Sequence, residues 1–150
     1  MSERWTPHAT VATVVEHNGR FLMVEELAHG STPVLNQPAG HIEANESIVD
    51  AARRETLEET GWEVEPVALV GLYTYTAPAN GVTYHRYCLQ ARAIRQIANA
   101  TLDDGIIGPR WMTLAELEQS TQLRSPMVLT CVKDYMAGKR FPLDIIVEHP

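Results

Sequence analysis

The stretch from Glu46 to Thr60 constrains this chain more than any other. It holds no Gly or Pro, is dense in Ala, Glu, Arg and Leu, and stops at Gly61, the residue favoured just past a helix end. A helix is predicted over residues 46–60. Wound at about 100° per residue, Ile48, Ala51 and Ala52 form one apolar stripe that should face the core. One turn further on, the same stripe turns acidic. Glu55, Glu58 and Glu59 stand at i, i+3 and i+4 and so continue the inward face. Carboxylates withdrawn from water are costly unless compensated. Arg54 reaches Glu58 at i+4, but one guanidinium does not neutralise three carboxylates. Two outcomes stay open from these residues alone: a solvated acidic face paired with Arg53 and Arg54, or a seat for a divalent cation. Oxygen-rich sets favour Mg²⁺, Mn²⁺ or Ca²⁺ over zinc.

Strand signals surround this helix. Residues 9–15 are rich in Val, Ala and Thr, and His17-Asn18-Gly19-Arg20 turns the chain into the apolar run Phe21-Leu22-Met23-Val24. Asn-Gly between two such runs signals a β-hairpin. Residues 28–38 contain Gly30, Pro33 and Pro38 and are expected to be a loop. Residues 64–76 and 82–94 are β-rich and separated by Pro78 and Asn80-Gly81, so a second, longer hairpin is predicted. A loop over residues 101–109 leads to a short strand at Arg110-Trp111-Met112. Thr113 and Glu116 have the spacing of a capping box, with a short helix to Gln119. Ser125-Pro126 supplies an N-cap and a first-turn proline for a last helix to Ala137, stopped by Gly138. Strands around a mid-chain helix, with another helix near the end, make an α/β or α+β sandwich. The 150 residues, 45% hydrophobic and 21% charged, suit a single domain over 1–150.

Twelve Lys and Arg against nineteen Asp and Glu give a formal charge of -7. That balance repels polyphosphate backbones, so no nucleic acid polymer is expected as a partner. An anionic small molecule would need a cation between it and the carboxylates. Cys88 and Cys131 have neither CxxC nor zinc spacing and are expected to be reduced core thiols. The six histidines show no HxxxH or HExxH spacing, which disfavours zinc even for His41 beside the helix. With no apolar run of signal or membrane-spanning length, a cytoplasmic protein without a membrane partner is expected.

The wider string from Gly40-His41-Ile42-Glu43 through Arg53-Arg54-Glu55-Thr56-Leu57-Glu58-Glu59-Thr60-Gly61-Trp62 resembles the Nudix box. Gly40, Glu46, Arg54, Glu55, Glu58, Glu59 and Gly61 meet every fixed position of that pattern. Thr56 and Trp62 depart from it, each where an aliphatic residue is usual. Both are packing positions, so they bear on how the helix seats. Asn36-Gln37-Pro38-Ala39, Leu102-Asp103-Asp104-Gly105-Ile106, Leu123-Arg124-Ser125-Pro126 and Phe141-Pro142-Leu143 extend the resemblance to the phosphatase NudJ branch.

The resemblance implies the Nudix fold, an α/β/α sandwich with a mixed central sheet and a short antiparallel sheet. It also implies a hydrolase of diphosphate linkages dependent on Mg²⁺, with Mn²⁺ able to replace it. Glu58 and Glu59 would be the main metal ligands, with the Gly40 carbonyl added. Glu55 would be a further ligand or the base, and Arg54 would orient the carboxylates. Glu46 would support the loop before the helix or bridge back to Arg54. Asp103 is a further candidate ligand or base, whereas Asp104 looks like a turn residue before Gly105. Arg86 and Arg124 are candidates for gripping phosphate, against surface ion pairs. Asn36 and Gln37 are candidates for reading a heterocycle, against a loop cap. The implied substrates are nucleoside tri- and diphosphates and hydroxymethylpyrimidine or thiamin diphosphates, cleaved with release of orthophosphate by a monomer or homodimer. Release of pyrophosphate, cleavage of dinucleotides or nucleotide sugars, and a non-catalytic nucleotide-sensing domain are the alternatives.

Overall fold

Val11, Ala12, Thr13, Val14 and Val15 are all buried, so the strand they form has both faces covered, as a central strand does. In the computed structural model, which describes residues 3–149, this strand is β1 (His8–Val14). It lies between β5 (Ala39–His41), antiparallel to it, and β7 (Thr83–Gln96), parallel to it. β6 (Trp62–Thr76) pairs antiparallel with β7 and completes a mixed sheet in the order β5-β1-β7-β6. The second sheet is antiparallel, built on β3 (Arg20–His29) with β4 (Thr32–Asn36), β8 (Ile106–Thr113) and the two-residue β2 (Glu16–His17).

Alternation along the central strands assigns each face a helix. Val11, Leu69 and Leu89 pack with Ala51 and Ala52 of α1 (Ile48–Thr60). Val14, Val70 and Cys88 point the other way and pack with Val128, Cys131 and Val132 of α3 (Pro126–Met136). The result is an α/β/α sandwich with a mixed central sheet, as expected. The second sheet closes on the α3 side through Phe21, Met23, Leu35 and Met112, and α2 (Leu114–Gln119) buries Leu117 there. Cys88 and Cys131 are free and buried.

The structure corrects several boundaries. The Asn18-Gly19 turn forms, with both residues at positive φ, yet it joins β2 to β3, not β1 to β3. A turn dictates only the local reversal, while β1, buried on both faces, needs strands on either side. Residues 28–38 are not a loop, because β3 runs to His29 and β4 follows after a turn at Gly30. Pro33 is tolerated because β4 lies at a sheet edge. β8 likewise begins at Ile106 and takes in Pro109. The first helix starts at Ile48, with Ser47 as its N-cap. The long hairpin, the capping box at Thr113 and Glu116, and the Ser125 cap all form.

Candidate active site

Ser47 accepts a hydrogen bond from the Asp50 N–H and starts α1, and Gly61, at φ 75°, ends it with its N–H on the Leu57 carbonyl. Thr56, one of the two departures from the pattern, is fully buried. Its hydroxyl donates to the Ala52 carbonyl at 2.8 Å and meets the Thr13 hydroxyl of β1 at 3.0 Å. The helix is therefore seated on the sheet by a satisfied polar contact where an aliphatic residue would offer only packing. Trp62, the other departure, stacks edge-on against Trp111 with ring centres 5.5 Å apart.

This seating turns the acidic end of α1 inward. Arg54 sits among four carboxylates of the box, those of Glu46, Glu55 and Glu58 and, at 3.7 Å, that of Glu43. It donates to Glu46 at 2.6 and 2.9 Å, to Glu55 at 2.9 Å and to Glu58 at 3.1 Å. It also donates to the His41 carbonyl at 3.0 Å. Glu46 both accepts from the Glu43 N–H at 3.0 Å and bridges to Arg54. Its hydrogen bond from Arg54 holds it below the usual carboxylate range. Glu59 has no such cation. It is only 8% exposed, accepts from the Ala39 N–H at 2.8 Å, and burial pushes its pKa up to about 8, with Glu26, Glu55 and Asp103 adding to the rise. Burial also raises Glu55 and Glu58, against the pull of Arg54. A Cβ at Gly40 would meet the Glu55 carboxyl, which would have to move aside.

Two further carboxylates join this group. Asp103 donates its N–H to the carbonyl of Glu58 at 3.1 Å, and its charge raises Glu55, Glu58 and Glu59. Glu26 was not singled out from the sequence. It is buried on β3 beyond Leu22 and Val24, and strand alternation carrying a buried face on to a carboxylate is the signal that would have found it. The donor set suits a hard divalent cation in kind, being all oxygen, low in counter-charge and withdrawn from water. Among the described residues, however, no three such groups converge on one point, because Arg54 holds Glu55 and Glu58 to itself. Seating a cation requires those two side chains to swing off the guanidinium.

Beyond β5, on the α3 side of the sheet, lies a cavity of about 370 Å³. Its wall includes Gly40 and His41 of β5, and also Asn36, Tyr84, Arg86 and Arg124. Arg86 is no surface ion pair: it is buried, and its Nη1 donates to Gln37 Oε1 at 2.9 Å. Arg124 is half-exposed and pairs with Glu26 at 2.5 Å. Asn36 is buried on the cavity wall, with Oδ1 unpartnered. Gln37 stands behind Arg86 and off the wall, its amide also donating to the Thr13 carbonyl at 3.2 Å. His41 meets His8 at 2.9 Å and is lowered by burial and by the neighbouring charges of His8 and Arg124.

Residues 5–130 match the family model of the NUDIX domain. Phosphatase NudJ of Escherichia coli K12 is 40% identical over 141 residues, which span 93% of this chain and 90% of that protein. A solved NUDIX hydrolase from Nitrosomonas europaea superimposes with a TM-score of 0.93 at 41% identity, covering 96% of this chain and 98% of that one. A UDP-X diphosphatase shares the fold alone, with a TM-score of 0.74 at 14% identity over 94% of this chain and 68% of that one.

Proposed function

This chain belongs to the Nudix family of hydrolases acting on phosphoric anhydrides, and from that premise we propose that it is a phosphatase of small diphosphate compounds dependent on Mg²⁺ or Mn²⁺. Its proposed substrates are nucleoside tri- and diphosphates, with hydroxymethylpyrimidine and thiamin diphosphates beside them, and its released product is orthophosphate. The observation that carries this proposal is the buried acidic end of α1, where Glu55 and Glu58 share one guanidinium and Glu59 has none.

Glu58 and Glu59 would hold the metal, with the Gly40 carbonyl as a further ligand and Glu55 as either another ligand or the base. When bound, a divalent cation neutralises charge on phosphoryl oxygens and acidifies a bound water. Arg54, anchored to Glu46 by charge-assisted hydrogen bonds, would orient Glu55 and Glu58 as they turn to the metal. Asp103 or Glu55 takes the proton of the attacking water. Arg124 and Arg86 hold phosphoryl oxygens, and Asn36 faces the remainder of the substrate. The enzyme works as a single domain, as a monomer or homodimer, in the cytoplasm. No described helix is long and apolar enough to cross a membrane.

A panel of phosphorylated metabolites, assayed separately for orthophosphate and pyrophosphate, tests the proposal. Orthophosphate should appear from diphosphates and triphosphates, and only with added metal. Full activity after dialysis in excess EDTA would remove the metal. Pyrophosphate as the sole product, or cleavage confined to dinucleotides or nucleotide sugars, would move the enzyme to the diphosphatase alternative. An inert chain that still binds nucleotides would be a sensor.

A further inference from the structure

Among the described residues Arg86 is the only buried lysine or arginine. Among the same residues its hydrogen-bond partner is the neutral amide of Gln37, no carboxylate pairs with it, and its Nε is buried without a partner. A guanidinium withdrawn from water without a counter-charge is a costly arrangement, and such a group wants an anion more than a neutral acceptor. The surroundings agree. The chain carries nineteen acidic residues against twelve basic ones, yet none of the described residues lining the cavity is acidic, while two are arginines. Arg124, the second of these, is already balanced by Glu26, so the net positive charge at the cavity belongs to Arg86. Asn36, also nine-tenths buried and with an unpartnered amide oxygen, stands on the same wall.

We propose that the floor of this cavity is an oxyanion subsite, built on Arg86 with Arg124 at its rim, which takes a phosphoryl group of the substrate other than the one under attack. The subsite needs no metal. The carboxylate end of α1 repels an anion until a cation is seated, whereas the cavity attracts one as it stands. Affinity and chemistry therefore reside on opposite sides of β5, and orthophosphate occupies the cavity of the metal-free chain. The proposal rests on the hydrolase assignment only for the identity of its natural occupant.

The test uses the full chain in EDTA, with inorganic phosphate as the probe and thermal unfolding as the readout. Phosphate should raise the melting temperature of the wild-type chain saturably, and Glu58→Gln should keep that rise. Arg86→Gln should lose it. A rise of wild-type size in folded Arg86→Gln would overturn the subsite. So would a rise given by a nucleoside but not by phosphate, since the floor would then take a neutral base edge. For the case in which Arg86→Gln does not fold, the Arg86 Nε–H resonance of the wild-type chain, identified through its contacts with Gln37, supplies a second measurement. It should shift with phosphate, and no movement up to tens of millimolar would equally overturn the proposal. Neither readout involves turnover. A chain inactive on every substrate but stabilised by phosphate would refute the hydrolase assignment alone, and an active chain lacking the effect would refute the subsite alone.

Discussion

Glu59 shows at the scale of one residue how the site is poised. With burial pushing its pKa up to about 8, the folded chain holds a proton there that the unfolded chain releases in the ordinary carboxylate range. A carboxyl raised in this way makes the metal-free fold lose stability as pH climbs through that interval. Glu59→Gln removes the charge while keeping the shape and an acceptor for the Ala39 N–H. In EDTA it should therefore stabilise the chain by about 1–3 kcal/mol at pH 8, with the gain vanishing near pH 5. Thermal melts across pH measure this directly, and an equal gain at both ends would refute the charge explanation. The same variant should lose at least about a hundredfold in turnover with metal present, roughly 3 kcal/mol of barrier. The spacing of Glu55, Glu58 and Glu59 was legible because helical periodicity is local. The burial of Glu26 and of Gln37 was not, since each depends on strands brought together from distant parts of the chain.

At the scale of elements, α1 is seated on β1 by the Thr13–Thr56 contact beside the packing of Val11 on Ala51 and Ala52. Thr56→Val leaves the buried Thr13 hydroxyl unpaired and should cost about 1–3 kcal/mol. Thr13→Val with Thr56→Val removes both hydroxyls and should cost less than the two single changes together. Additive costs in denaturant melts would mean that the hydroxyls do not act as a pair. The helix itself was readable from its caps and its acidic stripe, and the long hairpin from Asn80-Gly81. The partners of β1 were not, because turn chemistry at Asn18-Gly19 fixes a reversal without saying which strands it joins. Pro33 and Pro109 read as loop residues for a similar reason: whether a strand lies at a sheet edge is a property of the assembled sheet. The loop before β8 invites its own test, because the Asp103 backbone is anchored to α1 through the Glu58 carbonyl. Asp103→Asn should lower turnover and remove the acid limb of the rate profile if Asp103 is the base, or raise the metal requirement if it is a ligand. Asp104→Asn should match wild type in both, and identical behaviour of the two variants would leave Glu55 as the base.

For the whole molecule, an excess of seven negative charges and a cluster of carboxylates sharing one guanidinium make metal binding and folding stability one linked equilibrium. A cation that binds the folded chain and not the unfolded one stabilises it in proportion to the logarithm of its concentration over its dissociation constant. The cation must also displace the proton that Glu59 retains below about pH 8, so its affinity should rise between pH 6 and pH 8. The rise in melting temperature on adding Mg²⁺ should consequently be larger at pH 8 than at pH 6. It should fall sharply in Glu59→Gln and Glu58→Gln, and it should survive in Arg86→Gln, whose side chain lies in the cavity beyond β5. Calorimetric melts of the three variants with and without Mg²⁺, at both pH values, measure all of these. A rise independent of pH, or one unchanged by loss of Glu58 and Glu59, would place the stabilising cation elsewhere on the acidic surface and detach it from the box.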